Sequence, residues 1–269
     1  MSDVYIEQNV VVAKGGKRDV SVDIVRPAGT SGLVPGILFL PGGGWNTADR
    51  TPLTDRYGIS LAKHGYVFVA GEYRVMSEAP WPAQIQDVKA TIRWMRANSG
   101  NLGIDPDLIV VAGKSAGGQI ALVAAGAPDV KEFDGNGGNP GVSSRVAGVV
   151  GVSPVSDIRS RAKNPDFEPM FGKNPTDEFV TAANPVSYAG ADYPPTLFLH
   201  GTNDDRVHHS LTMAMYQKLE DVGVPVDLHL FAGQDHFFDR EAHFAKSVTD
   251  AMHLFISRYV PAKEAVATP

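Results

Sequence analysis

The chain has 269 residues, with 43% hydrophobic and 20% charged side chains, a balance that suits a folded α/β domain and excludes a disordered chain. The net charge of −6 gives no basis for general affinity for nucleic acid, and the absence of cysteine excludes disulfides, Cys-ligated metals and thiol nucleophiles. The N-terminus lacks a basic stretch followed by an apolar run, and no apolar segment reaches the roughly 20 residues of a membrane span. The expectation is a cytoplasmic protein with no membrane partner. Its oligomeric state is not readable.

Two β-like runs open the chain, Val4 to Ala13 and Val20 to Val25, and Lys14-Gly15-Gly16-Lys17 between them reads as a hairpin. Short apolar runs follow at 36–40, 66–70, 108–112, 146–150, 195–199 and 226–231. Near-continuous apolar strands suit parallel pairing with both faces covered. Ile85, Val88, Ile92 and Met95 predict a helix over 83–97. Leu211, Met215 and Leu219 mark another helix, and Ala251, Leu254 and Phe255 a C-terminal one. Strands alternating with helices predict an α/β fold, a mostly parallel central sheet with helices on both faces and an N-terminal antiparallel hairpin. One domain over 1–269 is expected, with a lid insertion at about 154–193 and a frayed tail from Pro261.

Gly113-Lys114-Ser115-Ala116-Gly117 is Gly-x-Ser-x-Gly between an apolar strand and an Ala-rich helix. A nucleophile on a sharp strand-to-helix turn needs small neighbours, because side chains at the flanking positions would strike the adjoining strand and helix. A phosphate-binding loop ending in Gly-Lys-Ser would need glycine at position 108, which is Leu. Gly42-Gly43-Gly44-Trp45 follows its own strand and lets the backbone N–H groups approach a substrate oxygen. The N–H of Ala116 would be a further donor.

A serine nucleophile needs a base and a group that orients it. His236 lies in the turn after the last strand, at the strand end where open α/β sheets place their sites. His200 and its following glycine read as turn-stabilising, His208 and His209 as exposed at a helix start, and His64, His229, His243 and His253 as structural. The acid falls in His200-Gly-Thr-Asn-Asp204-Asp205, and spacing favours Asp204 over Asp205. His200, Asp204, His208 and His209 show no recognisable metal-ligand spacing, so no metal is expected.

On these motifs, together with 72–75, 81–88, Gly103-Ile104-Asp105-Pro106, Ala183-Asn184-Pro185 and 233–237, the chain resembles the α/β-hydrolase superfamily. Within it, the chain is similar to the esterase/lipase group related to hormone-sensitive lipase and to the acetylxylan/feruloyl esterase-like BD-FAE proteins. The resemblance implies Ser115 as nucleophile, Asp204 as acid, His236 as base, and Gly43, Gly44 and Ala116 as oxyanion donors. Arg74 and Glu78 resemble the family's structural ion pair. Pro41 replaces the usual His, and Lys114, expected to be solvated, precedes the nucleophile. The β-like start favours the smaller BD-FAE branch.

A cofactor-free serine carboxylesterase acting on small or short-chain esters is the expected function. Carbohydrate acetyl or feruloyl esterase, arylformamidase-like amidase and a non-catalytic binding module on the same fold are the alternatives. Trp45, Phe167, Met170 and Phe171 are expected to wall the pocket.

Overall fold

The computed structural model describes residues 3–29 and 32–262, so most of the expected frayed tail lies outside the described residues. An eight-stranded sheet runs in the order β1-β2-β4-β3-β5-β6-β7-β8. β1 (Val4–Gly15) and β2 (Arg18–Pro27) form the expected antiparallel hairpin. Its two-residue loop puts Gly16 at φ 78°, a conformation glycine adopts without a Cβ clash. β2 also pairs antiparallel with β4 (Val67–Ala70). From there the ladder is parallel through β3 (Val34–Leu40), β5 (Ile104–Lys114), β6 (Gly148–Val152), β7 (Thr196–Gly201) and β8 (Val226–Phe231).

The apolar runs are continuous because each strand feeds two cores. In β3, Leu38 and Leu40 point into one layer with Ile85, Val88 and Ile120, while Ile37 and Phe39 point into the other with Tyr57, Leu61 and Phe255. Alternate side chains face opposite sides of a strand, so a strand covered on both sides must be apolar throughout. The first layer holds the helices Ala83–Ala97, Ser115–Gly126 and His209–Asp221; the second holds Ala242–Tyr259. The helix Ala83–Ala97 has the limits its periodicity predicts. Ala242–Tyr259 buries Phe255 but leaves Leu254 exposed, so Leu254 is not part of its core face. Three consecutive helical turns over 51–63 were not legible in the sequence, and Tyr57 and Leu61 bring them onto the sheet.

β3 has β4 on one side and β5 on the other, so the chain leaves these adjacent strands in opposite directions. This switch point opens a crevice at the strands' carboxyl ends, where ligands bind in open α/β sheets. Leu40 of β3 pairs with Gly113 of β5, which sets the glycine triplet beside Ser115. Between β6 and β7, residues 154–193 form short helices, among them Arg159–Ala162, Glu168–Phe171 and Asp177–Ala183. No helix among the described residues is long and apolar enough to cross a membrane.

Candidate active site

Ser115 sits at the junction of β5 and the helix Ser115–Gly126 with φ 52°, a left-handed backbone that a side chain normally avoids. The neighbouring glycines make this turn possible. A Cβ on Gly113 would lie 2.3 Å from the Gly117 carbonyl oxygen, and one on Gly117 would lie 2.4 Å from that of Pro41. On Gly43, at φ 146°, a Cβ would meet the Thr47 carbonyl oxygen at 2.2 Å. The Gly43 carbonyl is already held there by the N–H groups of Asn46 and Thr47, at 3.0 and 3.2 Å. Tyr73 donates its hydroxyl to the Pro41 carbonyl at 2.9 Å, so the loop is anchored from below although Pro41 stands in place of His.

Three side chains from different strand ends meet here. Ser115 Oγ lies 3.0 Å from His236 Nε2, and His236 Nδ1 lies 2.6 Å from Asp204 Oδ2. Asp204 Oδ2 also faces His200 Nε2 at 3.1 Å, while Oδ1 accepts the N–H groups of Arg206 and Val207 at 2.9 and 2.8 Å. Burial alone would raise the Asp204 carboxyl, but these hydrogen bonds outweigh it and hold the group well below the usual carboxylate range. His200 Nε2 faces two acceptors, Asp204 and the Val207 carbonyl, so it carries the proton, and Nδ1 takes the Thr212 hydroxyl at 2.9 Å. His200 therefore has both ring nitrogens engaged in holding this turn. Asp205, the other acid that spacing left open, is exposed.

Burial lowers the His236 pKa, and the charge of Lys114 lowers it further, against the opposing hydrogen bond to Asp204. An imidazole kept neutral, with Nδ1–H directed at a carboxylate, presents its free Nε2 lone pair to the Ser115 hydroxyl. Such a group can accept a proton near neutral pH.

Lys114 is not the solvated side chain that was expected. It is buried, with Nζ 2.7 Å from Asp239 Oδ1 and 2.6 Å from the His236 carbonyl oxygen. Asp239 Oδ2 receives the Tyr57 hydroxyl at 2.5 Å. Burial lowers the Lys114 pKa and Asp239 opposes that shift; burial would raise Asp239, but Lys114 and Tyr57 hold it low. This ion pair braces the backbone that carries His236. No local motif announces it, because Lys114 and Asp239 lie 125 residues apart in the chain.

Arg74 and Glu78 form no ion pair with each other; each has a different partner. Arg74 forms a two-pronged pair with Asp87, Nη2 to Oδ1 at 2.7 Å and Nε to Oδ2 at 2.8 Å, while Glu78 pairs with Arg18 at 2.5 Å. Asp87 lies on the helix Ala83–Ala97 facing Arg74, and Glu78 instead turns back to accept the Val75 N–H. Of the remaining histidines, His64 stacks on His253 with ring centroids 4.1 Å apart, whereas His229 and His243 are exposed and have no core role.

A cavity of about 690 Å³ opens above Ser115, within the range of small-molecule sites. The glycine triplet, Ala116, Trp45 and Phe167 line it, as do His236 and Phe237. Met170 and Phe171, expected at the wall, do not line it. Both are buried, and Phe171 packs edge-on beneath Trp45 at 6.1 Å, because Trp45 itself fills the space between them and the cavity. Trp45 is fixed by its indole N–H to Gln119 Oε1 at 3.1 Å and by Phe167 at 5.4 Å.

A mostly parallel sheet with this serine turn, and with a histidine and an aspartate delivered by later strand ends, defines an α/β-hydrolase of the esterase/lipase group. The chain belongs to the BD-FAE family, whose model matches residues 22–219. It is 30% identical over 231 residues to the "probable carboxylic ester hydrolase LipM" of Mycobacterium tuberculosis, covering 81% of this chain and 54% of LipM. The chain thus spans about half the length of that relative. Among solved structures, it resembles a truncated carbohydrate esterase from gut microbiota, with TM-score 0.82, 25% identity and coverage of 95% of this chain and 96% of that one. It also resembles the thermophilic esterase Est2 of Thermogutta terrifontis in its propionate-bound form, with TM-score 0.79, 25% identity and 97% coverage of both chains.

Proposed function

We propose that the protein is a serine carboxylesterase that cleaves small or short-chain esters through an acyl-enzyme. The observation that carries this reading is the continuous line Ser115 Oγ–His236–Asp204, with contacts of 3.0 and 2.6 Å, opening into the cavity. Ser115 Oγ attacks the ester carbonyl carbon as its proton passes to His236 Nε2. The carbonyl oxygen becomes anionic and is met by the N–H groups of Gly43, Gly44 and Ala116. One such donor is typically worth about 3 kcal/mol in the transition state. As the C–O bond breaks, His236 returns the proton to the departing alcohol oxygen. Water then attacks the acyl carbon, gives its proton to His236, and releases the acid and free Ser115. Asp204 holds the tautomer and balances the charge on the imidazolium. Nothing in these steps requires a cofactor.

The names of the relatives support ester chemistry, and the propionate in Est2 supports a short acyl group. A sugar acetate is the second reading, favoured by the name of the gut carbohydrate esterase. Purified protein should hydrolyse 4-nitrophenyl acetate and butyrate, and a neutral serine-directed phosphonate should label Ser115. Absence of turnover on 4-nitrophenyl esters and on acetylated xylo-oligosaccharides, together with an unlabelled Ser115, would reject the reading.

A further inference from the structure

Positive charge gathers around the cavity of a chain whose net charge is −6. Lys114 and Arg56 reach into the lining, but Asp239 answers both, at 2.7 and 3.5 Å. Arg161, Arg206 and Arg240 line the same cavity and have no ion pair among the described residues. Elsewhere, arginines carry carboxylates: Arg18 has Glu78, Arg50 has Asp23, Arg74 has Asp87, and Arg258 has Asp227. Arg96 feels the charge of Asp107 and donates to the carbonyls of Pro106, Ser143 and Arg145.

None of the carboxylates around the cavity forms an ion pair with Arg161, Arg206 or Arg240 among the described residues. Asp204 lies behind His236 with both oxygens hydrogen-bonded; its charge reaches Arg161, but the two form no ion pair. Asp49 lines the cavity and accepts the Thr51 N–H, at 3.0 Å, and the Thr51 hydroxyl, at 2.7 Å, both through Oδ1, so it is the one lining carboxylate whose charge no described cation pairs with. Asp157 is held by Arg159 at 2.9 Å. Asp235 accepts the Phe237 N–H at 2.7 Å, and neither it nor Asp205 lines the cavity.

The three guanidiniums are also positioned. Arg206 and Arg240 both lie over the Phe237 ring, 4.9 and 4.1 Å from its centroid. Arg161 Nη2 donates to the Arg206 carbonyl at 2.6 Å. Guanidiniums without an ion pair in a concave site focus a positive potential and offer paired N–H donors that match a carboxylate.

We infer that the ester this cavity selects carries a carboxylate, which Arg161, Arg206 and Arg240 receive while Ser115 attacks the ester carbonyl. The substrate class is a half-ester of a dicarboxylic acid or an acyl ester of an acidic alcohol such as a uronate. The inference rests on the esterase reading and narrows it.

Two matched pairs test it. Mono-4-nitrophenyl adipate is compared with its methyl ester for charge on the acyl side, and 4-acetoxybenzoate with its methyl ester for charge on the alcohol side. In one pair the charged member should have a kcat/KM about tenfold or more above its neutral partner at low salt, since charge-assisted pairs are the strong ones. Rising ionic strength should shrink that ratio. Arg206→Gln combined with Arg240→Gln should bring the ratio toward unity, and Arg240→Lys should retain most of it. Labelling of Ser115 by a neutral phosphonate in each variant shows that the site is still formed. Equal or poorer turnover of the charged member in both pairs overturns the inference, as does a preference that survives loss of the arginines. Either result leaves the esterase reading intact, which fails only if neutral esters are not cleaved and Ser115 is not labelled.

Discussion

Two charged regions of this molecule are built in opposite ways. Where the β1–β2 hairpin meets the helix Ala83–Ala97, Arg18, Arg50 and Arg74 face Glu72, Glu78, Asp23 and Asp87, so each cation has a carboxylate. At the carboxyl ends of the strands, Arg161, Arg206 and Arg240 have no ion pair among the described residues, and the backbone at Ser115 and Gly43 is left-handed. Charges that find partners inside the molecule hold elements together. Charges left facing a cavity are available to a ligand. The first region should therefore control stability and the second activity, and a set of substitutions can break or sharpen that division.

Ser115→Ala gives the largest expected effect. Loss of the attacking oxygen should reduce kcat on 4-nitrophenyl butyrate by roughly 10⁴- to 10⁶-fold, while the thermal midpoint changes little, since only a hydroxyl is lost and the Cβ stays. Near-normal turnover would end Ser115's candidacy. Asp204→Asn should follow, at about 10⁴ in kcat, because an amide can turn its NH₂ toward His236 and favour the wrong tautomer. Asp205→Asn, at an exposed position, should cost only a few-fold. A reversed order would move the acid by one residue.

Asp87→Ala tests the other region. It strands the Arg74 guanidinium beside a buried helix face and should lower stability by about 3 to 5 kcal/mol in urea titration. Activity per folded molecule should remain near wild type. A large kcat loss in the folded fraction would mean that the two regions are coupled.

Lys114→Met belongs to both regions, since Lys114 is buried and also holds the His236 carbonyl. Asp239 would lose its nearer cation and keep only Arg56 at 3.5 Å, so stability should drop by a few kcal/mol. Looser placement of His236 should lower kcat by about 10- to 100-fold with little change in KM. The Asp239→Asn/Lys114→Met double variant should recover stability more than activity.

The smallest effect is a shift along the pH axis. His236 is held below the ordinary histidine value near 6.5, so it stays unprotonated to lower pH. The acid limb of kcat/KM should have its midpoint below about 6.5 in wild type and move upward in Lys114→Met, where the neighbouring positive charge is gone. Stability carries the same sign. Below about 6.5 the unfolded chain binds a proton that folded His236 refuses, and below about 4 it binds one that Asp204 refuses, so stability falls with acidification through both windows. A midpoint above 6.5 in wild type would contradict the buried, neutral imidazole.

The α/β architecture, the hairpin and the grouping of Ser115, Asp204 and His236 were legible in the sequence because their signals are local. Apolar runs covered on both faces, glycines that a sharp turn cannot do without, and a histidine placed just after a strand all appear within a few residues. The fate of charged side chains was not local. The sequence around Lys114 shows only a lysine before a serine, and its burial follows from Asp239 and the His236 carbonyl arriving from the far end of the chain. Arg74 was assigned to a near neighbour, Glu78, but chose Asp87 one helix away. Met170 and Phe171 read as pocket wall and became the packing beneath Trp45. The sequence by itself determined the strands, the helix periodicity and the serine turn, because backbone sterics and the burial of apolar side chains act along the chain. Only the tertiary structure decided which charges are answered and which face the cavity, because Coulomb energy depends on distance through space and on burial, and neither is written in sequence separation.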